Sequence, residues 1–172
     1  MTNFLDISYL KAGNEKQIRA YYTLSNNKIL TKLETYNPIL VGTIPIQINI
    51  DNSDLDIICY VQDEEKFKQH LNQNFGMEKG FLISASPKFK AIKASFMVDD
   101  FEIEIFGQNI PTIMQNAYKH MLVENKLLLQ KGDPFRQEII SLKKQGYKTE
   151  PAFAKLLGIK GNAYEALLSL ED

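Results

Sequence analysis

Residues 42–57 read GTIPIQINIDNSDLDI. The stretch ends in a strand-like run in which Asp54 and Asp56 are two positions apart, so their side chains point to the same face. Their Cα atoms are expected about 6.5 Å apart, which is two strand rises. Like charges at that distance repel by roughly 2.5 kcal/mol at an effective dielectric of about 20. The pair therefore indicates either a strand with one solvated face or a site where a cation removes the repulsion.

A second acidic strand is predicted at residues 101–107, which read FEIEIFG. Glu102 and Glu104 also share one face, and no basic residue interrupts this run. If the two strands are neighbours, three or four carboxylates converge. Oxygen-only ligands are what Mg²⁺ prefers, so the two strands together favour a magnesium site with either glutamate as the third carboxylate.

Gly42 and Thr43 end the apolar run 39–41. A glycine there lets a bulky ligand approach the backbone, and the hydroxyl and N–H groups that follow can donate to phosphate oxygens. The alternative is an ordinary turn at the end of a strand.

The composition is that of a globular protein, with 172 residues, a net charge of −1, 44% apolar and 24% charged residues. The single cysteine, Cys59, lies in an apolar run, which predicts a buried thiol and a reducing, cytoplasmic setting. No apolar run approaches the roughly 18 residues of a membrane helix, so no membrane partner is expected. The near-neutral charge makes nucleic acid an unlikely partner, and two distant histidines disfavour a structural zinc site.

The periodicity of the sequence predicts an α+β fold. The chain begins with helical patterning, in which Asn14 and Gln17 have capping-box spacing. Short segments rich in β-branched and aromatic residues then predict five strands, of which the last three form an antiparallel meander. The predicted strands are 39–42, 54–61, 81–86, 89–98 and 101–107.

The remainder of the chain is predicted to be helical, and Thr112 with Gln115 has capping-box spacing. We expect residues 1–110 to form a core of a mixed or antiparallel sheet with N-terminal helices. Residues 111–172 are expected to form a C-terminal helical bundle packed on that core. Its helices are expected near 113–130, 134–145, 150–157 and 163–170.

Gly42-Thr43, a spacer, then Ser53 and Asp54-x-Asp56 resemble the active-site signature of the polymerase-beta-like nucleotidyltransferase superfamily. That signature is Gly-Ser, a spacer and Asp-x-Asp, with a third carboxylate on a later strand. Thr43 replaces the common serine and keeps its hydroxyl. Two departures fall in the spacer: Gln47 stands where many members have a second glycine, and Ile44-Pro45-Ile46 replaces a basic stretch of small residues.

Within that superfamily the chain is similar to a bacterial family of unknown function. This resemblance favours Glu104 over Glu102 as third carboxylate, because Glu104 directly precedes the Ile105-Phe106-Gly107 segment typical of the family. The similar segments are 36–61, 101–108, 115–124 and 146–168.

The resemblance implies a nucleotidyltransferase-like core and metal-dependent transfer of an NMP from an NTP to a hydroxyl of a small molecule or protein. Asp54, Asp56 and Glu104 would hold Mg²⁺ or Mn²⁺, and the third carboxylate would receive the acceptor proton. Gly42, Thr43 and Ser53 would lie at the nucleotide. The alternatives are a catalytically degenerate protein that binds a nucleotide or a partner, and a metal-dependent phosphoesterase.

Three further groups of polar residues have two interpretations each. Gln115, Asn116 and His120 would form a pocket wall on one helix or a polar row exposed to water. Residues 88–93 contain three lysines that fit a solvated hairpin better than a phosphate groove. Residues 148–153 are typical of a helix start, or form a surface for an acceptor or partner.

Overall fold

The computed structural model describes residues 2–170. Six α-helices are present in this part of the chain: α1 (Glu15–Asn26), α2 (Ile29–Lys32), α3 (Glu64–Phe75), α4 (Asn116–Lys144), α5 (Thr149–Leu157) and α6 (Ala163–Leu168). The strands are β1 (Ile39–Val41), β2 (Leu55–Tyr60), β3 (Lys79–Ser86), β4 (Ala91–Val98) and β5 (Phe101–Gln108). Short 3-10 helices lie at Ser8–Ala12, Glu34–Tyr36, Pro87–Phe89 and Thr112–Met114.

The strands form one mixed sheet in the order β1-β2-β5-β4-β3. Strands β2 and β5 are parallel neighbours, and the other adjacent pairs are antiparallel. The predicted α+β class and the antiparallel meander of the last three strands are therefore confirmed. The parallel pair at the centre of the sheet places the two acidic strands side by side.

One face of the sheet is covered by the helices that precede β5. Leu55, Ile57 and Cys59 alternate toward this face, and all three are fully buried. Strand β5 contributes Gly107, where an added Cβ would lie 2.4 Å from the ring of Phe67 on α3. The absence of a side chain at Gly107 thus lets α3 pack directly on the sheet.

The other face of the sheet packs against the C-terminal helices at one end. Ile39, Val41 and Ile58 are buried there in a cluster that includes Met121 of α4 and Phe153 of α5. Farther along the same face the strands expose polar side chains, and a cavity remains between the sheet and the helices. The division into 1–110 and 111–172 stays a prediction.

Of the two capping boxes predicted from the sequence, one is present and the other is absent. The capping box of Asn14 with Gln17 is present at the start of α1. The predicted capping box of Thr112 with Gln115 is wrong, because α4 begins only at Asn116. The Gln115 side chain donates instead to the backbone carbonyl of Cys59. The expected break near residues 131–133 appears as a non-helical Gly132 with φ 78° inside α4.

None of the helices in residues 2–170 combines the length and apolar character that a bilayer crossing requires.

Candidate active site

Three carboxylates meet at the centre of the sheet. Asp56 of β2 lies opposite Glu104 of β5 in the parallel register, and Asp54 directly precedes β2. One side-chain oxygen from each of the three lies within 4.8 Å of the others. Glu102 lies outside this group, at an exposed position opposite Met97 on β4.

The electrostatics of this carboxylate cluster (Asp54, Asp56 and Glu104) favour a bound cation. Burial, together with the charges of Asp54 and Glu104, raises the pKa of Asp56 from 3.8 to about 7. Burial and Asp54 also raise the pKa of Glu104. These shifts persist although the charges of Lys143 and Lys93 act in the opposite direction on Asp56. The cluster thus retains excess negative charge, which a divalent cation would neutralise.

The donor set suits a hard divalent cation. All three residues of the cluster offer carboxylate oxygens and are half-buried, and Asp56 and Glu104 line the cavity. The ion pairs between described residues join other carboxylates, those of Asp63, Glu65, Asp100 and Asp133. Mg²⁺ and Mn²⁺ prefer such oxygen ligands.

Gly42 is in direct contact with the carboxylate cluster. Its φ of +84° lies in the left-handed region, and an added Cβ would be 2.4 Å from Oδ2 of Asp56. Only glycine lets the chain turn this close to the carboxylate. The structure therefore places Gly42 beside Asp56.

Thr43 and Ser53 lie at the two ends of the segment that connects β1 to β2, and their side chains are hydrogen-bonded to each other. The Thr43 hydroxyl donates to Ser53 Oγ at 3.3 Å, and the Ile50 N–H donates to the same oxygen at 2.9 Å. Thr43 lines the cavity. Ser53 thus supports the geometry of the turn that delivers Asp54.

The segment between Thr43 and Ser53 is fixed by side chains from other elements. Its Ile44, Ile46 and Ile48 are almost fully buried. Buried Gln17 of α1 donates to the carbonyl of Ile44 at 2.9 Å, and Lys143 of α4 donates to that of Ile48 at 2.9 Å. The segment is therefore a packed part of the core, unlike a flexible glycine-rich loop.

The cavity beside the carboxylate cluster has a volume of about 510 Å³. The sheet supplies Asp56, Glu104 and Lys93 to its lining. At the helical side it is lined by residues of the segment before α4, of α4 itself and of the start of α5: Gln115, Asn116, His120, Glu124, Thr149 and Glu150.

The three predicted wall residues differ in their contacts. Gln115 donates from Nε2 to the carbonyls of Cys59 at 2.9 Å and Ile110 at 2.8 Å, so it ties the start of α4 to the sheet. Asn116 is exposed, and His120 is buried.

Sequence reasoning missed Lys143. For Lys88, Lys90 and Lys93 the sequence favours a solvated hairpin over a phosphate groove, but Lys93 is half-buried and lines the cavity, while the other two are exposed. Glu150 belongs to the segment 148–153, and it also lines the cavity. Burial lowers the pKa of Lys143 to about 8, and its nearest charges include Glu124, Asp54 and Asp56. No local pattern predicts the role of Lys143, because only the folding of α4 onto the sheet brings its side chain near Asp54 and Asp56.

A second group of ionisable residues lies on the helical side. His120 and Glu124 of α4 and Glu150 of α5 offer one ligand atom each within 4.8 Å of one another. Burial and the charge of Glu150 raise the pKa of Glu124 well above its ordinary value. Burial lowers the pKa of His120, against the opposing charge of Glu150.

A family model described as Domain of unknown function (DUF4269) matches residues 22–170. No curated protein matches the chain at a significant level. The description of this family names no activity, so the chemistry of the chain follows from the residues of its site.

Several solved structures are similar in fold. A structure of Cid1, described as an RNA terminal uridylyl transferase, has a TM-score of 0.56 at 13% identity, over 76% of this chain and 41% of Cid1. The structure of Cid1 poly(U) polymerase with Mg 3′-dATP bound has a TM-score of 0.57 at 14% identity. The match covers 90% of this chain and 48% of the polymerase. The polymerase core of TRAMP, an RNA surveillance complex, has a TM-score of 0.53 at 12% identity. The match covers 94% of this chain and 50% of that one.

The chain spans half or less of the length of these similar structures. At such low identity the likeness shows the fold alone. The chain therefore has a nucleotidyltransferase-like fold with a possible acidic metal-binding cluster, as the superfamily resemblance predicts. The closer resemblance to one bacterial family stays a prediction.

Proposed function

We propose that this chain, which belongs to the family described as Domain of unknown function (DUF4269), is a metal-dependent nucleotidyltransferase. It would move an NMP from an NTP to a hydroxyl of a small molecule or protein and release pyrophosphate. One observation carries the proposal: Asp54, Asp56 and Glu104 converge in a nucleotidyltransferase-like fold, at a point where Asp56, Glu104 and Gly42 line one cavity.

Each carboxylate has a role that follows from its position. Asp54 and Asp56 would hold Mg²⁺ or Mn²⁺, which supplies charge neutralisation on the triphosphate and activation of the acceptor oxygen. Glu104 would hold the same metal centre and receive the acceptor proton. Glu102 is exposed outside the cluster, so Glu104 is the better third carboxylate.

The phosphates would lie between Gly42-Thr43 and Lys93. Gly42 has no side chain to block the approach of a phosphate, and Thr43 lines the cavity with its hydroxyl and N–H groups. Lys93 is a half-buried cation in the cavity lining. A lysine beside the triphosphate stabilises the leaving pyrophosphate as a point charge.

One observation favours a second candidate, a catalytically degenerate nucleotide- or partner-binding protein. The segment from Ile44 to Ile48 is packed into the core, and its carbonyls are bonded by Gln17 and Lys143. It therefore lacks the freedom of a glycine-rich loop that closes over phosphates. In this second candidate function, the protein would bind nucleotide at the carboxylates without transferring it.

The experiment compares the wild type with the Asp54→Asn/Asp56→Asn double variant. Thermal melting is followed with Mg²⁺ plus each NTP, and pyrophosphate release is followed across a panel of hydroxyl acceptors that includes an RNA oligonucleotide. We expect stabilisation and release by the wild type and neither by the double variant. Asp51→Asn, at an exposed position in the same segment, is the matched control and should behave as the wild type.

The outcomes separate the candidates. Stabilisation without pyrophosphate release across the panel supports the degenerate binder. Release of free phosphate from monoesters supports a phosphoesterase that uses the same carboxylates. A wild type that responds to neither nucleotide nor metal contradicts the proposal.

A further inference from the structure

The second group of ionisable residues lies across the cavity from the carboxylate cluster and shares no residue with it. His120 and Glu124 are four positions apart on α4, so they lie one above the other on the same helical face. Glu150 comes from the first turn of α5. One ligand atom from each of the three lies within 4.8 Å of the others, and all three line the cavity.

The group is buried to an unusual degree for ionisable residues. His120 is 7% exposed and Glu124 is 4% exposed. Buried histidines and glutamates are normally paired or bound to a metal, because burying an unpaired charge is costly. The packing of α4 against α5 and α6 thus holds the Glu124 carboxylate and the His120 imidazole out of bulk water, with the half-buried Glu150 beside them.

His120 carries an independent sign of a missing ligand. Its Nδ1 is buried and has no hydrogen-bond partner among the described residues. The rings of His120 and Tyr164 are in a T-shaped contact with centroids 6.1 Å apart, which supplies no hydrogen bond to Nδ1. A buried polar atom without a partner costs about 1–3 kcal/mol, so its presence calls for a ligand.

We propose that His120, Glu124 and Glu150 form a second cation site, which binds a transition-metal ion of the Zn²⁺ class. An imidazole nitrogen with two carboxylate oxygens suits Zn²⁺ and its neighbours better than Mg²⁺, which takes oxygen ligands. Three protein ligands are the number found in zinc sites that keep one coordination position open. Because the group lines the cavity, that position faces the space where an acceptor would bind.

The site rests on residues that the proposed nucleotidyl transfer does not use, so the two proposals are tested separately. The full-length chain is stripped of metal with a chelator and titrated with Co²⁺, whose visible absorption bands report nitrogen and oxygen coordination. Zn²⁺ is then added to displace Co²⁺, and its affinity is measured by calorimetry. We expect a saturable Co²⁺ site that Zn²⁺ empties in the wild type and also in the Asp54→Asn/Asp56→Asn double variant, in which the carboxylate cluster no longer competes for Co²⁺.

The variants assign the site. His120→Ala and Glu150→Gln each alter a direct ligand, so each should weaken Zn²⁺ binding by at least the roughly 10–100-fold that the loss of an outer-shell partner costs. Glu150 is half-buried at the start of a helix, so its variant keeps the test valid if His120→Ala fails to fold. His70→Gln is the matched histidine control, because its side-chain amide can keep the contact of His70 with the Lys32 carbonyl. It should bind as the wild type does.

The Asp54→Asn/Asp56→Asn double variant should keep the Co²⁺ bands and the Zn²⁺ affinity. Loss of binding in that variant, with retention in His120→Ala and Glu150→Gln, would assign the ion to the carboxylate cluster and overturn the proposal. A wild type without a saturable Co²⁺ or Zn²⁺ site would overturn it as well.

Discussion

At the scale of single residues, Asp56 connects folding to metal binding. Burial and two neighbouring carboxylates raise its pKa to about 7, whereas an exposed aspartate has a pKa of 3.8. Between these two values the folded state binds more protons than the unfolded state. The contribution of Asp56 to stability therefore falls as the pH rises from about 4 to about 7, and it stays unfavourable above that range.

This linkage predicts a reversal of sign for Asp56→Asn. In a chelator at pH 8 the variant should be more stable than the wild type by about 1–3 kcal/mol, because the amide carries no charge. The advantage should disappear near pH 4, where the wild-type carboxyl is protonated. In saturating Mn²⁺ the order should reverse, since the wild type alone gains the free energy of metal binding.

Urea denaturation at the three conditions measures these differences. Asp51→Asn, in the same segment but exposed, serves as the control and should leave stability unchanged at each condition. An Asp56→Asn variant that is less stable than the wild type in the chelator at pH 8 would show that the carboxylate is stabilised by a partner in the protein.

Gly42 gives a second prediction at this scale. In Gly42→Ala the new Cβ would overlap Oδ2 of Asp56, which it approaches to 2.4 Å, and the backbone would keep a φ of +84°. We expect a loss of stability of about 1 kcal/mol or more, together with weaker binding of Mn²⁺ at the displaced carboxylate. Calorimetric titration with Mn²⁺ measures the second effect.

Gly80→Ala separates the two causes. Gly80 has a similar φ of +72°, but an added Cβ there meets nothing within 4 Å. This control should lose stability and keep the Mn²⁺ affinity of the wild type. Equal Mn²⁺ affinity in both variants would mean that Gly42 does not position Asp56.

The sequence predicts the residues of the carboxylate cluster better than their surroundings. Strand alternation places Asp54 with Asp56, and the parallel pairing of β2 with β5 brings Glu104 beside them. Gln47, which departs from the superfamily pattern, keeps a left-handed backbone with φ +60° and hydrogen-bonds Gln17 at 3.0 Å. The substitution is thus accommodated locally, which spacing alone does not indicate.

At the scale of elements, the segment joining β1 to β2 depends on α1. Gln17, 1% exposed, donates to the carbonyls of Ile44 at 2.9 Å and Pro45 at 3.1 Å, and it accepts from Gln47. Gln17→Leu keeps the volume of the side chain but leaves buried carbonyls without donors. We expect a loss of about 1–3 kcal/mol in the free energy of unfolding.

The same variant should weaken the stabilisation by Mg²⁺ and NTP, because this segment positions Gly42 and Asp54 at its two ends. Gln47→Ala is the control, since it removes only the exposed partner of the network and should have a smaller effect on both measurements. Urea denaturation and thermal melting with ligand give the two readouts. Unchanged ligand stabilisation in Gln17→Leu would show that the segment does not hold the site.

The elements themselves are largely predictable because their signals are local. Period-two alternation identifies the strands, and Gly132 marks the interruption of α4. The capping box predicted at Thr112 fails because Gln115 finds better partners in the carbonyls of Cys59 and Ile110. Such a choice depends on tertiary contacts that lie far away in sequence.

At the scale of the whole molecule, the candidate site is shared between the sheet and the C-terminal helices. Glu150 lines the cavity, and Lys143 interacts with the charges of Asp54 and Asp56, only because α4 and α5 fold back over the strands. Neither residue has a local pattern that predicts this role. The sequence therefore predicts the carboxylates of the strands and, as one of two interpretations, a helical wall that contains His120, but it does not predict the position of Lys143.

This sharing predicts that residues 1–110 do not fold alone. Ile39, Val41 and Ile58 are at most 5% exposed, and they are buried in the cluster that contains Met121 and Phe153 of the C-terminal helices. A chain ending at residue 110 would expose this apolar face, a feature that promotes aggregation. We expect it to be insoluble or to unfold without a cooperative transition in urea.

Co-expression of residues 111–172 as a separate chain provides the control, because it leaves the same cut in the backbone but restores the covering helices. The two pieces should co-purify and unfold cooperatively. If residues 1–110 alone unfold cooperatively and bind Mn²⁺ as the full chain does, the carboxylate cluster is a property of the sheet alone. The helices would then serve the acceptor side of the cavity without supporting the metal side.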